Sequence, residues 1–235
     1  MSRKHGAMTR PEFTPTTRTT LKRRPERGTY ERAAAERILD AAFVAHVGFV
    51  DDAQPIVIPM VFARDGDQLL LHGSVASRLL RTLDAGVPVC VTVTLVDGIV
   101  LAHAHFHHSV NYRSVVILGT ARRVREPEEQ RRALACVVDH VVPGRADEAR
   151  PASDAELRQT TVLQLAIETV SVKTRSGGSV APDDDDRDLP IWSGVLPLTV
   201  EPGIAVADDH ASPAAERPPS VSPWTRPRRT VDRAP

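Results

Sequence analysis

The chain has 235 residues, and its 30 Lys and Arg are balanced by 30 Asp and Glu. Zero net charge argues against a nucleic acid or an anionic membrane as partner, since either needs a basic excess. The sequence has no run of about eighteen apolar residues to span a bilayer and no apolar stretch at the N-terminus to serve as a secretory signal, so a cytoplasmic protein is expected.

Residues 1–20 are polar and basic, and residues 201–235 are rich in Pro, Ala, Asp and Arg. Neither segment buries enough surface to offset chain entropy, so both are expected as disordered tails around one domain over 21–200. Lys22, Arg23, Arg24 and Arg27 adjoin Glu26 and Glu31 and read as a solvated entry segment. Glu31–Ala42 then predicts a helix with Thr29 as N-cap and Ala35, Ile38, Leu39 and Ala42 on one side. Strands are expected at Phe43–Val50, Gln54–Ala63 and Gln68–His72, joined by turns at Asp51-Asp52 and Arg64–Asp67.

A helix at Ser77–Asp84 stops at Gly86 and Pro88, and Asp97-Gly98 is a hairpin signal between strands Val89–Val96 and Ile99–Phe106. Ser114–Arg125 predicts a strand, Pro127–His140 a helix, and the alternation over Leu163–Val172 one last strand. The resulting fold class is α+β, mainly β: an antiparallel barrel of six or seven strands with a few flanking helices. Closure, full or partial, removes the edges that an open meander would expose.

The run Leu71-His72-Gly73-Ser74-Val75-Ala76-Ser77-Arg78 sets a strand end, a glycine bend and a Ser-Arg pair at a helix start. Free backbone N–H groups, a hydroxyl and a guanidinium converging there suit a phosphate, although Ser77 as N-cap and Arg78 as a solvated helix residue would give the same pattern. Some thirty residues on stands Phe106-His107-His108-Ser109-Val110-Asn111-Tyr112-Arg113-Ser114-Val115-Val116, and later Leu189-Pro190-Ile191-Trp192-Ser193-Gly194-Val195-Leu196-Pro197-Leu198. Together these motifs resemble the flavin-nucleotide-binding proteins of the pyridoxamine phosphate oxidase-like split-barrel superfamily, on the branch related to nitroimidazole reductases. The resemblance spans roughly residues 21–198.

That resemblance implies a homodimer with FMN at two sites in the subunit interface, a small-molecule substrate and FMN-dependent oxidoreductase chemistry. Matching cofactor positions are Val57, Ile58, Pro59, Met60 and Val61, then His72 and Gly73, with Ser77 and Arg78 towards the phosphate. Tyr112, Arg113, Ser114 and Trp192 are carried over as further contacts, and Lys173 and Arg175 as further phosphate candidates. Such a site suits a flavin, which needs an apolar wall, polar groups at the ring edge and cations at the phosphate. The superfamily also includes proteins that use a deazaflavin or haem.

Three other features carry alternatives. His103, His105 and His107 alternate beside His108, and period-two spacing on a strand would place three imidazoles on one face for a metal or haem. Positions two apart on a strand lie about 7 Å from each other, wide for a single ion, and no Cys or acidic ligand adjoins them. The run Asp183–Asp186 lacks calcium-loop spacing and reads as solvated linker. Cys90 and Cys136, in apolar surroundings without a CxxC pattern, are expected to be buried free thiols. Three functions remain: a flavin oxidoreductase, a flavin-storage or sensing protein, or a haem or metal barrel.

Overall fold

A computed structural model describes residues 12–182, 186–211 and 216–221. Asp183 to Asp185 of the acidic run, and the outer parts of both tails, lie outside these residues. Ten strands are present among the described residues, and every pairing between them is antiparallel.

The first helix, α1 (Arg32–Ala41), buries Ala35, Ile38 and Leu39 on the barrel, as its apolar spacing requires. Glu31 rather than Thr29 is its N-cap residue. Thr29 belongs to a two-residue strand, β1 (Gly28–Thr29), paired with Lys173 and Val172, so tertiary pairing takes it from the helix end. Part of the segment expected to be a loose tail is packed. Phe13 is buried in the core, its N–H donates to the Tyr30 carbonyl at 2.8 Å, and Arg32 stacks over its ring.

Strands β2 (Val44–Asp51) and β3 (Gln54–Asp65) form a hairpin around Asp52 and Ala53, whose φ values of 48° and 60° give the left-handed turn that a two-residue hairpin needs. Residues 54–61 of β3 pair with β2, whereas 62–65 pair with β4 (Gln68–Ser74). β3 thus belongs to both halves of the split sheet. At the crossover Phe62 and Ala63 are both fully buried, Phe62 in the barrel core and Ala63 under helix α3 (Pro127–Val141).

β5 (Pro88–Leu101) overturns the hairpin expected at Asp97-Gly98. It runs through as one strand, with a bulge where its register against β6 (Ser109–Thr120) shifts between Val96 and Gly98. The Asp97 carboxylate accepts two hydrogen bonds from Arg113, at 2.9 and 2.7 Å, which anchors the residue that would have headed a turn. Gly98 leaves room for β10 (Gly194–Pro197), because a Cβ there would stand 3.0 Å from the Leu196 carbonyl oxygen.

The strand expected over Ser114–Arg125 breaks at buried Ala121, and β7 (Arg122–Arg123) crosses to the other half of the sheet. The single strand expected over Leu163–Val172 is two: β8 (Thr160–Ala166) pairs with β4, and β9 (Thr169–Arg175) with β6. Between them buried Ile167 donates its N–H to the Asp67 carbonyl at 2.9 Å and closes the corner. The strand order is β1-β9-β6-β5-β2-β3-β4-β8-β7, with β10 on β5.

Three shorter helices complete the fold: α2 (Arg78–Asp84), α4 (Arg145–Glu148) and α5 (Asp154–Gln159). Ser153 and Glu156 form a reciprocal capping box on α5. Among the described residues no helix is long and apolar enough to cross a membrane. Both cysteines are free thiols, half-buried rather than buried.

Candidate functional site

Strand alternation sorts the candidate residues. Ile58 and Met60 pack inward on the core, whereas Val57, Pro59 and Val61 face outward and are exposed. Opposite these three on β2 stand Gly48, His46 and Val44, and His46 also faces Thr92 of β5. The outer face of β3 and β2 is therefore apolar yet uncovered in the single chain, with Val57 64%, Val50 54% and Val44 40% exposed.

The anion-binding candidates lie on the end of β4 and the start of α2. The β4 end brings His72 and Gly73 beside α2, where a Cβ on Gly73 would lie 3.1 Å from Leu80 Cδ1. Ser77 is the N-cap of α2 and accepts from the Leu80 N–H at 3.4 Å. Arg78 is 65% exposed and reaches back to Asp51 at the β2–β3 turn, Nε to Oδ2 3.5 Å. Because α2 has only seven residues its dipole is small, so the guanidinium rather than the helix end supplies the attraction for an anion.

His72 is half-buried, and its Nδ1 is buried without a hydrogen-bond partner among the described residues. Burial pushes its pKa below the ordinary 6.5, so the neutral imidazole is the folded form. The unfolded chain takes up this proton first on acidification. Stability from this site is therefore intact above pH 6.5 and is lost as the pH falls through the lower folded-state value. Denaturant titrations should show a smaller loss between about pH 7 and about pH 5 for His72→Gln than for wild type; equal losses would place the sensitivity elsewhere.

A second group sits on β6 and β9, where Tyr112 is opposite Arg175 and Ser114 opposite Lys173. Several of these side chains are already engaged. Arg113 is held by Asp97, and the Ser114 hydroxyl donates to the Lys173 carbonyl at 3.3 Å. Lys173 Nζ donates to the Arg23 carbonyl at 3.0 Å, tying down the N-terminal segment. Buried Arg175 donates to Asn111 Oδ1 and to the carbonyls of Gly177 and Gly178, clasping the loop after β9. Desolvation lowers its pKa, with Arg27 adding repulsion.

Two intervening strands separate β3 from β6, which puts the two groups about 14 Å apart at ordinary strand spacing. One chain does not bring them together. Trp192 is 67% exposed and its ring lies over Gly194, where a Cβ would meet it at 2.7 Å.

The histidine alternation does not lie on a strand. β5 ends at Leu101 and residues His105–His107 form a single 3-10 turn, because the chain turns here rather than at Asp97. His108 Nδ1 bonds to the Ala104 carbonyl at 3.0 Å, and Phe106 is 91% exposed. Among the described residues no three His, Cys, Asp or Glu side chains converge as a metal ion needs. His103 Nδ1, like that of His72, is buried without a partner among the described residues.

Two features were not anticipated. The Asp97–Arg113 pair reads from sequence as a turn plus a ligand. A groove of about 350 Å³ also runs along α2, lined by Arg78, Arg81, Thr82, Ala85 and Val87. Its signal in the sequence is the i, i+3, i+4, i+7 set Arg78, Arg81, Thr82, Ala85.

The family model described as pyridoxamine 5'-phosphate oxidase matches residues 31–174. No curated protein matches the chain. Among solved structures, a flavocytochrome from Azotobacter vinelandii is 33% identical with a TM-score of 0.83, covering 90% of this chain and 98% of its own. An FAD- and haem-binding protein from Mycobacterium smegmatis is 34% identical with a TM-score of 0.79, over 83% of this chain and 96% of its own. A 5-nitroimidazole antibiotic resistance protein from Bacteroides thetaiotaomicron is 25% identical with a TM-score of 0.53, over 62% and 85%.

Proposed function

Since the chain belongs to the pyridoxamine 5'-phosphate oxidase family, we propose that it is a flavin-dependent oxidoreductase working as a homodimer on a small nitro- or quinone-like acceptor. The observation that carries this reading is the uncovered apolar face of Val57, Pro59 and Val61 on β3, with His72 and Gly73 on the neighbouring strand β4 and an exposed guanidinium at Arg78. These residues fit a flavin nucleotide: an apolar wall for the ring, a glycine allowing close backbone approach, and a guanidinium for the phosphate. When bound, the flavin supplies the electron transfer. The chain holds it, orients it and excludes water around it.

The separation of the two residue groups supports the dimer. A twofold contact between outer sheet faces would set the β3 corner of one copy against Tyr112 and Ser114 of the other, and would cover the exposed valines. The two free thiols suit a cytoplasmic setting.

The absorption spectrum of protein purified without added cofactor tests the central point. Flavin bands, bleached by NAD(P)H and restored by an added acceptor, are expected. Bound flavin that neither bleaches nor recovers would make the protein a carrier, and a colourless protein that ignores added flavin would sink the reading. Arg78→Ala should weaken FMN binding about tenfold, the worth of a partly exposed charge-assisted hydrogen bond, while sparing riboflavin, which has no phosphate. Equal losses for the two ligands would remove Arg78 from the phosphate site.

A second reading adds haem beside the flavin. It is favoured by the buried, partnerless Nδ1 atoms of His72 and His103, each on an imidazole competent to ligate iron, and by the haem that the Mycobacterium smegmatis relative binds. A Soret band lost in His72→Ala or His103→Ala would assign the ligand; no Soret band after reconstitution with haemin would dismiss it.

A further inference from the structure

We infer that residues 198–206 are a dimerisation arm, whose apolar side packs on a second copy of this chain at the exposed row Leu196, Ile99 and Val110. This rests on the homodimer of the reading above and adds a contact surface to it. Every even-numbered position of the arm is apolar: Leu198, Val200, Pro202, Ile204 and Val206. Such spacing puts all five on one side of an extended chain. Val200 is 64% exposed, Ile204 88% and Val206 90%, so that side is bare in the single chain.

The arm is held in place along its length. Leu198 donates its N–H to the Asp97 carbonyl at 3.0 Å, and the Ala205 carbonyl accepts from Arg217 at 3.0 Å. Further on, Ser220 donates its N–H to Glu148 on α4 at 3.0 Å. Fixing the backbone beforehand reduces the entropy lost on association. Pro202 has no N–H to offer a ladder, so the arm attaches through side chains rather than as another strand.

Pairing of β10, β5 and β6 sets Leu196, Ile99 and Val110 side by side in register, and all three are exposed. Tyr112 follows Val110 by two residues on β6 and shares its face, so the row continues the side that the dimer reading turns to the partner. Leu196 and Leu198 are likewise two apart, so row and arm adjoin. A surface that carries both is self-complementary: a twofold axis sets each copy's arm on the other's row. That favours a second copy over a foreign protein, because one chain supplies both halves of the contact.

Sedimentation velocity over a dilution series of the full chain, with hydrogen exchange on the same samples, tests this. Wild type should be a dimer in which the amides of residues 203–206 exchange slowly, and dilution to monomer should release them. Ile204→Asp with Val206→Asp should weaken the dimer at least about tenfold, whereas Glu201→Lys, at an odd position, should leave it unchanged. Both arm residues stand almost wholly in solvent in the single chain, so their replacement leaves the barrel folded. Ile99→Asp should weaken the dimer similarly and add little to the arm pair, because both remove one contact.

A monomeric wild type would overturn the arm and the homodimer together. A dimer that ignores the arm pair, or whose arm amides exchange freely, would overturn the arm and leave the homodimer standing. Protection that survives dilution to monomer would place the arm on its own chain and overturn it. Additive losses from Ile99→Asp and the arm pair would show that arm and row do not meet, which also overturns the inference.

Discussion

Asp97→Ala should lower the unfolding free energy by about 3 kcal/mol, the lower end of what breaking a buried ion pair costs. The Asp97 side chain is 9% exposed and that of Arg113 23%, and the two form a bidentate contact inside the β5 bulge. Truncating the carboxylate removes both of the hydrogen bonds that it accepts from the half-buried Arg113 guanidinium. The double variant Asp97→Ala, Arg113→Met should recover much of the loss, because an apolar side chain leaves no charge to compensate. Urea titrations of the two variants decide the matter. A single-variant loss below about 1 kcal/mol would mean that solvent already screens the pair.

Phe62→Ala should cost about 3–5 kcal/mol. Phe62 is fully buried where β3 passes from one half-sheet to the other, and its ring lies 5.1 Å from that of His140, whose Nε2 is bonded to the Ala42 carbonyl at 2.8 Å. Strand on one side and helix on the other are both fixed, so the cavity has little freedom to collapse. The loss should appear as a lower denaturation midpoint with an unchanged slope. A changed slope would indicate that the two half-sheets had stopped unfolding together.

The elements that sequence reasoning locates are those whose pattern is local. Helices α1 and α3 follow from apolar spacing, and the β2–β3 hairpin from alternation around a short polar turn. It misses where local cues compete with distant partners. Asp97-Gly98 has turn chemistry, but Arg113 from β6 and Leu196 from β10 claim those two residues. The β8–β9 break did leave a trace. Leu163, Leu165 and Ile167 hold odd positions, whereas Val170 and Val172 hold even ones, a change of phase that a continuous strand does not show.

The same division applies to the site. His72, Gly73, Ser77 and Arg78 are legible because they fall within one short run that ends β4 and starts α2. The β3 stretch Val57 to Val61 is legible only as a block, and alternation then sends Ile58 and Met60 into the core. Lys173 and Arg175 have the right charge for a phosphate, but their hydrogen bonds go to backbone carbonyls that no spacing rule in the sequence identifies.

The sharing of β3 between the two half-sheets also governs how this chain can be divided. A cut within β3 would sever Phe62 from Val61, removing one half-sheet's last rung and the other's first together, and neither fragment would keep a closed interior. A cut in the exposed 149–153 connection between α4 and α5 leaves every strand whole, and the later piece retains β8 and β9 to dock again on β4 and β6. Split reporters and circular permutants of this barrel therefore belong in that connection.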